Sequence, residues 1–308
     1  MPPVKSNRLV SINGKRAFLT NCVRFAAAPA LLGWSSLTAQ AAPADLRYFP
    51  VGTIYDYRWK LLDLALAHTL GSDGPYTLIP YAEDITQNRG VVLLETGAIE
   101  VIALGTNQDR ESRLLPIRID ILRGIVGFRV FVIRAADQAR IADMDSATFQ
   151  RELVFGLNSQ WADLPIMRDQ GFSVTTSTSY ENLFGMLAAG RFDAFPRGLN
   201  EARRELNERR AAYPQLAVES TRAIFFPFPI YFWVKRGNAA LAQRIERGLN
   251  IALADGSFKN LFVTYHAAEI EAMKTHKRRV IRLDNTILPV GSPVPDTRWW
   301  WPESGLSG

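Results

Sequence analysis

Strand-like and helix-like segments alternate along the chain, and no other feature constrains its fold as much. Residues 99–104 form a nearly unbroken apolar run, as suits a strand buried on both faces of a parallel sheet. Ahead of it lie an extended run at 46–49, a helix at 57–70, a turn at 71–75, a strand at 76–80 and a helix at 84–96. In the first helix Leu61, Leu64, Ala65 and His68 recur at i, i+3, i+4 and i+7. Gly97 is the stop of the second. This β-α-β-α-β order predicts an α/β layer architecture.

A second block repeats the alternation. Strands are expected at 129–134, 154–157, 172–176, 192–195 and 216–219. Helices are expected at 145–153, 161–170, 180–189 and 200–212, the last capped by Asn200. Residues 224–234 are strongly aromatic and are broken by Pro227 and Pro229. Proline cannot donate to a sheet ladder, so this run reads as an edge or crossing strand. Helices at 241–254 and 258–273 follow, then a basic stretch and a Pro-rich end with Trp299, Trp300 and Trp301. The expected layout is one lobe of 44–126 plus 235–283, a second of 127–234, and a tail of 284–308. The crossings between lobes fall near 124–127 and in the proline-broken strand.

The charge is unevenly placed. There are 36 Lys+Arg against 30 Asp+Glu, a net +6. The first 41 residues hold five bases (Lys5, Arg8, Lys15, Arg16, Arg24) and no acid; removing them leaves 31 bases against 30 acids. A body at +1 lacks the field that phosphate backbones need, so nucleic acid is not an expected partner. A composition of 47% hydrophobic and 21% charged residues excludes a disordered chain.

Residues 1–41 read as a signal peptide. Basic residues reach Arg24, an apolar stretch spans 25–37, and Ala39-Gln40-Ala41 is a small-x-small cleavage signal. The stretch is shorter than the roughly 20 residues that span a bilayer, so no permanent anchor is expected. Lys15-Arg16-Ala17-Phe18-Leu19 resembles the twin-arginine export pattern, with Lys15 in place of the first arginine; Sec export is the other expectation. Cys22 is the only cysteine. A chain cleaved after Ala41 therefore has no disulfide, thiolate metal site or cysteine nucleophile.

Enzyme motifs are missing. The chain has no G-x-x-x-x-G-K-[ST], no G-x-G-x-x-G and no G-x-S-x-G. His68, His266 and His276 have no ligand spacing, so neither a metal nor a cofactor is expected. Asp143 and Asp145 read as loop carboxylates.

What remains is positional, because ligands of open α/β sheets sit beyond the carboxyl ends of strands. Tyr55 follows the first strand, and Thr106 and Arg110 follow 99–104. Gln160 and Trp161 follow 154–157. Arg197 follows 192–195 and precedes a helix start, which itself favours anions. Arginine can grip a carboxylate with a planar fork, and Trp161 can stack on a ligand. A solvated arginine and a packed tryptophan are the alternatives. The charged helix after Arg197 reads as a solvated face with a Glu205–Arg209 pair.

Four segments together resemble the bacterial extracellular solute-binding proteins of family 3. They are Gly105-Thr106 to Arg110-Glu111, the strand at 129–134, Gly190-Arg191-Phe192-Asp193-Ala194 and Asp255-Gly256-Ser257-Phe258. The likeness covers roughly 46–265. It is closer to divergent members carrying R-x-x-R-L-L-P-I-R and G-R-F-D-x-F-P-R-G segments, here Arg110 to Arg118 and Gly190 to Gly198.

The resemblance implies an α/β, two-lobed type 2 periplasmic-binding-protein fold with a central ligand cleft and a hinge. It also implies an exported, periplasmic, monomeric binder of a small molecule, not an enzyme. Its partner would be the membrane permease of an ABC importer. The family's T-x-x-R arginine holds the ligand α-carboxylate. Thr106 and Arg110 stand one residue further apart, and Arg110 is the anchor that carries over. The family's amine-binding acid has no counterpart in Phe195-Pro196-Arg197-Gly198, which favours an anionic ligand over an α-amino acid. A sensory module and a dehydratase-like enzyme, which would need a general acid or base, are the other readings of such a scaffold.

Overall fold

A computed structural model of the chain describes residues 42–50, 55–83, 85–275 and 277–302. The signal-peptide reading lies outside the described residues. The first block contains β1 (Ala44–Tyr48), α1 (Asp56–Ala67), α2 (Leu70–Asp73), β2 (Tyr76–Pro80), α3 (Gln87–Thr96), β3 (Ile102–Gly105), α4 (Gln108–Arg113) and β4 (Leu114–Ile117). The second contains β5 (Phe128–Arg134), α5 (Gln138–Asp143), α6 (Ser146–Glu152), β6 (Val154–Asn158), α7 (Asp163–Asp169), β7 (Ser173–Ser177), α8 (Tyr180–Ala188), β8 (Ala194–Gly198), α9 (Leu199–Arg209), β9 (Leu216–Val218) and β10 (Arg222–Phe225). The chain then returns through β11 (Ile230–Lys235), α10 (Ala239–Asp255), α11 (Ser257–Tyr265), α12 (Ala267–Thr275) and β12 (Arg279–Arg282). No helix among the described residues is long and apolar enough to cross a membrane.

The strands sort into two systems. In the first, β1 and β2 run parallel, a bridge from Tyr48 to Val101 leads on to β3, and β11 lies antiparallel between β3 and β4. In the second, seven strands run β12-β10-β5-β8-β6-β7, with β9 also on β5. Local chemistry sets the helix ends. Thr86 caps α3 through the Arg89 amide, Asn107 caps α4 through the Arg110 amide, and Asp145 caps α6 through the Thr148 amide. Asp145 is thus structural.

Several boundaries move. The aromatic run at 224–234 is two strands in two sheets. Pro227 and Pro229 lie between them, in the crossing, where no ladder bond is needed. β11 is the central strand of its sheet, contrary to the edge expectation, and it pairs with strands of the first lobe. The second crossing therefore falls at 226–229, ahead of the expected boundary. β12, expected in the first lobe, pairs with β10 of the seven-stranded sheet. The cap of α9 is Gly198, whose amide donates to Glu201, rather than Asn200.

The two crossings touch. The Phe226 amide donates to the Gly127 carbonyl at 3.2 Å. A Cβ at Gly127 would stand 2.2 Å from the Phe226 carbonyl oxygen, so only glycine allows this approach. Asp120 ties the crossings from within. Its carboxylate accepts from the amides of Leu122 (3.1 Å) and Gly124 (2.7 Å) on one, and of Ile230 (3.1 Å) just beyond the other.

The C-terminal tail packs over this place. Trp300 Nε1 donates to the Arg123 carbonyl at 2.7 Å, and Asp296 pairs with the Arg123 guanidinium, which lies 4.4 Å from the Trp299 ring. Trp299 meets Phe258 and Phe262 of α11, while Trp301 meets Phe128 of β5 and Phe225 of β10. The tail thus touches elements of both systems. Arg123, at φ 50°, is the one described non-glycine residue with positive φ.

Candidate ligand-binding site

The carboxyl ends of β3, β6 and β8 and the start of α1 converge on a cavity of about 70 Å³. Tyr55, Arg110, Trp161 and Arg197 all line it. Gln160 does not; it lines a wider outer cleft of about 870 Å³. Tyr55, Gln87 and Trp161 border both spaces. Thr106 lines neither. It is buried, and its hydroxyl donates to Glu111 at 2.9 Å.

Arg110 is 5% exposed. Capping by Asn107 starts α4 at the end of β3 and turns Arg110 inward. Its Nη1 donates to the Gly105 carbonyl (2.7 Å) and its Nη2 to Gln87 Oε1 (3.2 Å). Among the described residues no carboxylate lies within ion-pair distance of it. Its neighbours in the charged segment differ: Arg113 pairs with Glu95 and Arg118 with Glu111. Burial lowers the Arg110 pKa to about 10, so it stays charged at neutral pH. Buried charge without a counter-ion is costly, and a bound anion would offset that cost.

Arg58 repeats the pattern. It is buried on α1, donates to the Ala103 carbonyl at 3.0 Å, and lies 4.3 Å over the Tyr55 ring. It too has no described ion-pair partner, and burial lowers its pKa.

The opposite wall behaves otherwise. Arg197 donates to Glu205 with both Nε and Nη2 and lies 3.0 Å from Glu201. Its guanidinium stands 4.4 Å over Trp161. Burial works against its charge, but Glu201 and Glu205 outweigh burial and hold its pKa well above the usual range. Arg129, the second residue of β5, pairs with Asp163 (3.0 Å) and Glu201 (3.5 Å), though its Nε has no hydrogen-bond partner among the described residues. Burial also opposes the charge of Glu201, and Arg197, Arg129 and Arg58 together keep its pKa lowered. The face of α9 carrying Glu201 and Glu205 is therefore buried rather than solvated. The expected Glu205–Arg209 side-chain pair is replaced by Glu205–Arg197 and Arg209–Glu181.

Pro196 helps shape this wall. β8 pairs with β5 along its length but meets β6 only at Ala194, so the proline breaks no ladder on that side. The end of β8 is left free to present Arg197.

Sequence reasoning missed Arg58, Gln87, Arg129, Asp163 and Glu201, all of which line the cavity. Two of them carried a signal. Arg58 stands among Tyr57, Trp59, Leu61 and Leu62, all buried, and Arg129 is the second residue of a strand buried up to its last residue. A charge inside such a pattern marks a paired or functional group. The described histidines, His68 and His266, lie outside the cavity, and no metal-binding group of three or more His, Cys, Asp or Glu occurs among the described residues.

No family model matches the sequence, and no curated protein matches it. Solved structures do match. An ancestral arginine-binding protein bound to glutamine superposes with a TM-score of 0.55 at 15% identity, covering 73% of this chain and 99% of that one. A histidine kinase sensor domain with similarity to periplasmic binding proteins gives 0.53 at 15% identity, covering 73% and 96%. A periplasmic binding protein of high arginine specificity from Salmonella typhimurium gives 0.52 at 14% identity, covering 72% and 97%. The chain thus has the two-lobed α/β fold of periplasmic binding proteins, with the cavity at the meeting of the lobes.

Proposed function

We propose that this chain is an exported solute-binding protein that captures a small molecule by an anionic group, without turnover, and hands it to a membrane permease of an ABC importer. One observation carries the reading: Arg110 and Arg58 are buried guanidiniums lining a cavity, and among the described residues neither has a carboxylate within ion-pair distance. The first lobe offers two cations, and lobe closure brings the second lobe over whatever they hold. The fold supports binding, and the N-terminal segment supports export to the periplasm. The carboxylates at the cavity are held in ion pairs, which suits a binder better than a site needing a free general base.

A sensory role is the second reading, favoured by the likeness to a histidine kinase sensor domain. Both roles share the capture step. A thermal-shift screen of carboxylates, sulfonates and amino acids on the full chain tests it. A ligand at about 100 times its Kd stabilises by roughly 2.7 kcal/mol. Arg110→Met should abolish the shift while the protein remains folded. A variant that responds like wild type would remove Arg110 from the site. Co-purification with a permease or with a kinase then separates the two roles.

A further inference from the structure

We infer that the ligand is elongated, with a single anionic head and a neutral or cationic tail, and that the outer cleft is the tail's subsite. This rests on the reading of the inner cavity as an anion site. Size gives the first argument. The inner cavity, at about 70 Å³, has room for a carboxylate and little more, whereas the outer cleft has about 870 Å³. Tyr55, Gln87 and Trp161 border both, so one molecule can occupy the two in line.

Charge gives the second. Arg58, Arg110, Arg129 and Arg197 line the inner cavity with Asp163 and Glu201, and Glu205 pairs with Arg197 from behind the lining, which leaves an excess of one cation. That excess suits one anionic group. At the outer cleft Glu83, Glu181 and Glu208 outnumber Arg209, which Glu181 and Glu208 share. A second anion on the ligand would meet carboxylates there, while a cation would find carboxylates and the aromatic ring of Tyr81.

The ion pairs give the third. An α-ammonium beside the carboxylate head needs a free acceptor, and Asp163 and Glu201 are already held by Arg129 and Arg197. The α-amine is therefore dispensable. The class is a monocarboxylate with a distal amine, guanidine or other uncharged polar or cationic end, rather than a dicarboxylate or an α-amino acid.

Four probes of equal chain length test this by calorimetry on the full chain: caproate, ε-aminocaproate, adipate and lysine. ε-Aminocaproate should bind at least tenfold more tightly than adipate and more tightly than caproate, and lysine should gain nothing over it. The double variant Glu83→Gln/Glu208→Gln should shrink the ratio of ε-aminocaproate to caproate affinity toward one. Arg110→Met, with its fold checked by circular dichroism, should lose all four. Adipate equal to ε-aminocaproate, or lysine tenfold tighter than it, would overturn the inference while a loss of binding in Arg110→Met still upheld the anion site. Binding that survives Arg110→Met, or no binding by any probe, would bring down both.

Discussion

The two walls of the cavity use arginine in opposite ways. On the first lobe, Arg58 and Arg110 are buried against carbonyls, an amide and a tyrosine ring, with no described carboxylate within ion-pair distance. On the second, Arg129 and Arg197 are buried against Asp163, Glu201 and Glu205, and their charge is spent within the wall. Burial alone therefore does not mark a ligand contact. The partner separates the cases: a guanidinium that its own lobe already neutralises holds the wall together, and one that it leaves bare is the proposed ligand contact.

Mutation should separate the walls by sign. Arg197→Ala strands Glu205 in the interior, leaves Glu201 to Arg129, and should cost about 3–5 kcal/mol in urea denaturation, since breaking one partner of a buried pair leaves an uncompensated charge. An unchanged midpoint would erase the contrast.

Asp120 sharpens the comparison from the anionic side, as a buried carboxylate whose hydrogen bonds all come from backbone amides. Burial raises its pKa to about 6, against three amide donors that lower it. Between about pH 4 and 6 the native state keeps a proton that the unfolded chain has released, so this group makes stability fall as pH rises through that window. Relative to Asp120→Asn, which cannot titrate, wild type should lose roughly 2 kcal/mol between pH 4 and 7. A flat or rising difference would contradict the shift.

The smallest effect on stability is expected at Arg110, the proposed anion anchor. Arg110→Met removes a buried charge without orphaning a carboxylate, so unfolding free energy should change by about 1 kcal/mol or less, or rise. A loss comparable to that of Arg197→Ala would mean the two walls are alike after all.

Much of the frame could be read from residue order. The apolar run ending in β3, the glycine after α3 and the strand–helix alternation all report local physics, and local physics is what a sequence displays. Pairing across the chain is not displayed. Nothing in 224–234 says that β10 and β11 belong to different sheets, and the basic stretch holding β12 reads as part of the first lobe because its partner β10 lies more than fifty residues back. The site divides in the same way. Tyr55, Arg110, Trp161 and Arg197 stand near strand ends, where geometry alone draws attention. The distinction between Arg110 and Arg197 lies in Glu201 and Glu205, which a linear reading assigned to solvent because both sit on a helix dense in charge.

The tryptophans of the tail give the molecule an optical consequence. Trp299 and Trp300 rest against Arg123, on the segment that links the halves, and Trp301 lies on the sheet beyond it. Any rotation about that segment must change the surroundings of at least one indole. The native emission spectrum is thus a built-in gauge of opening and closing, readable in an unlabelled sample.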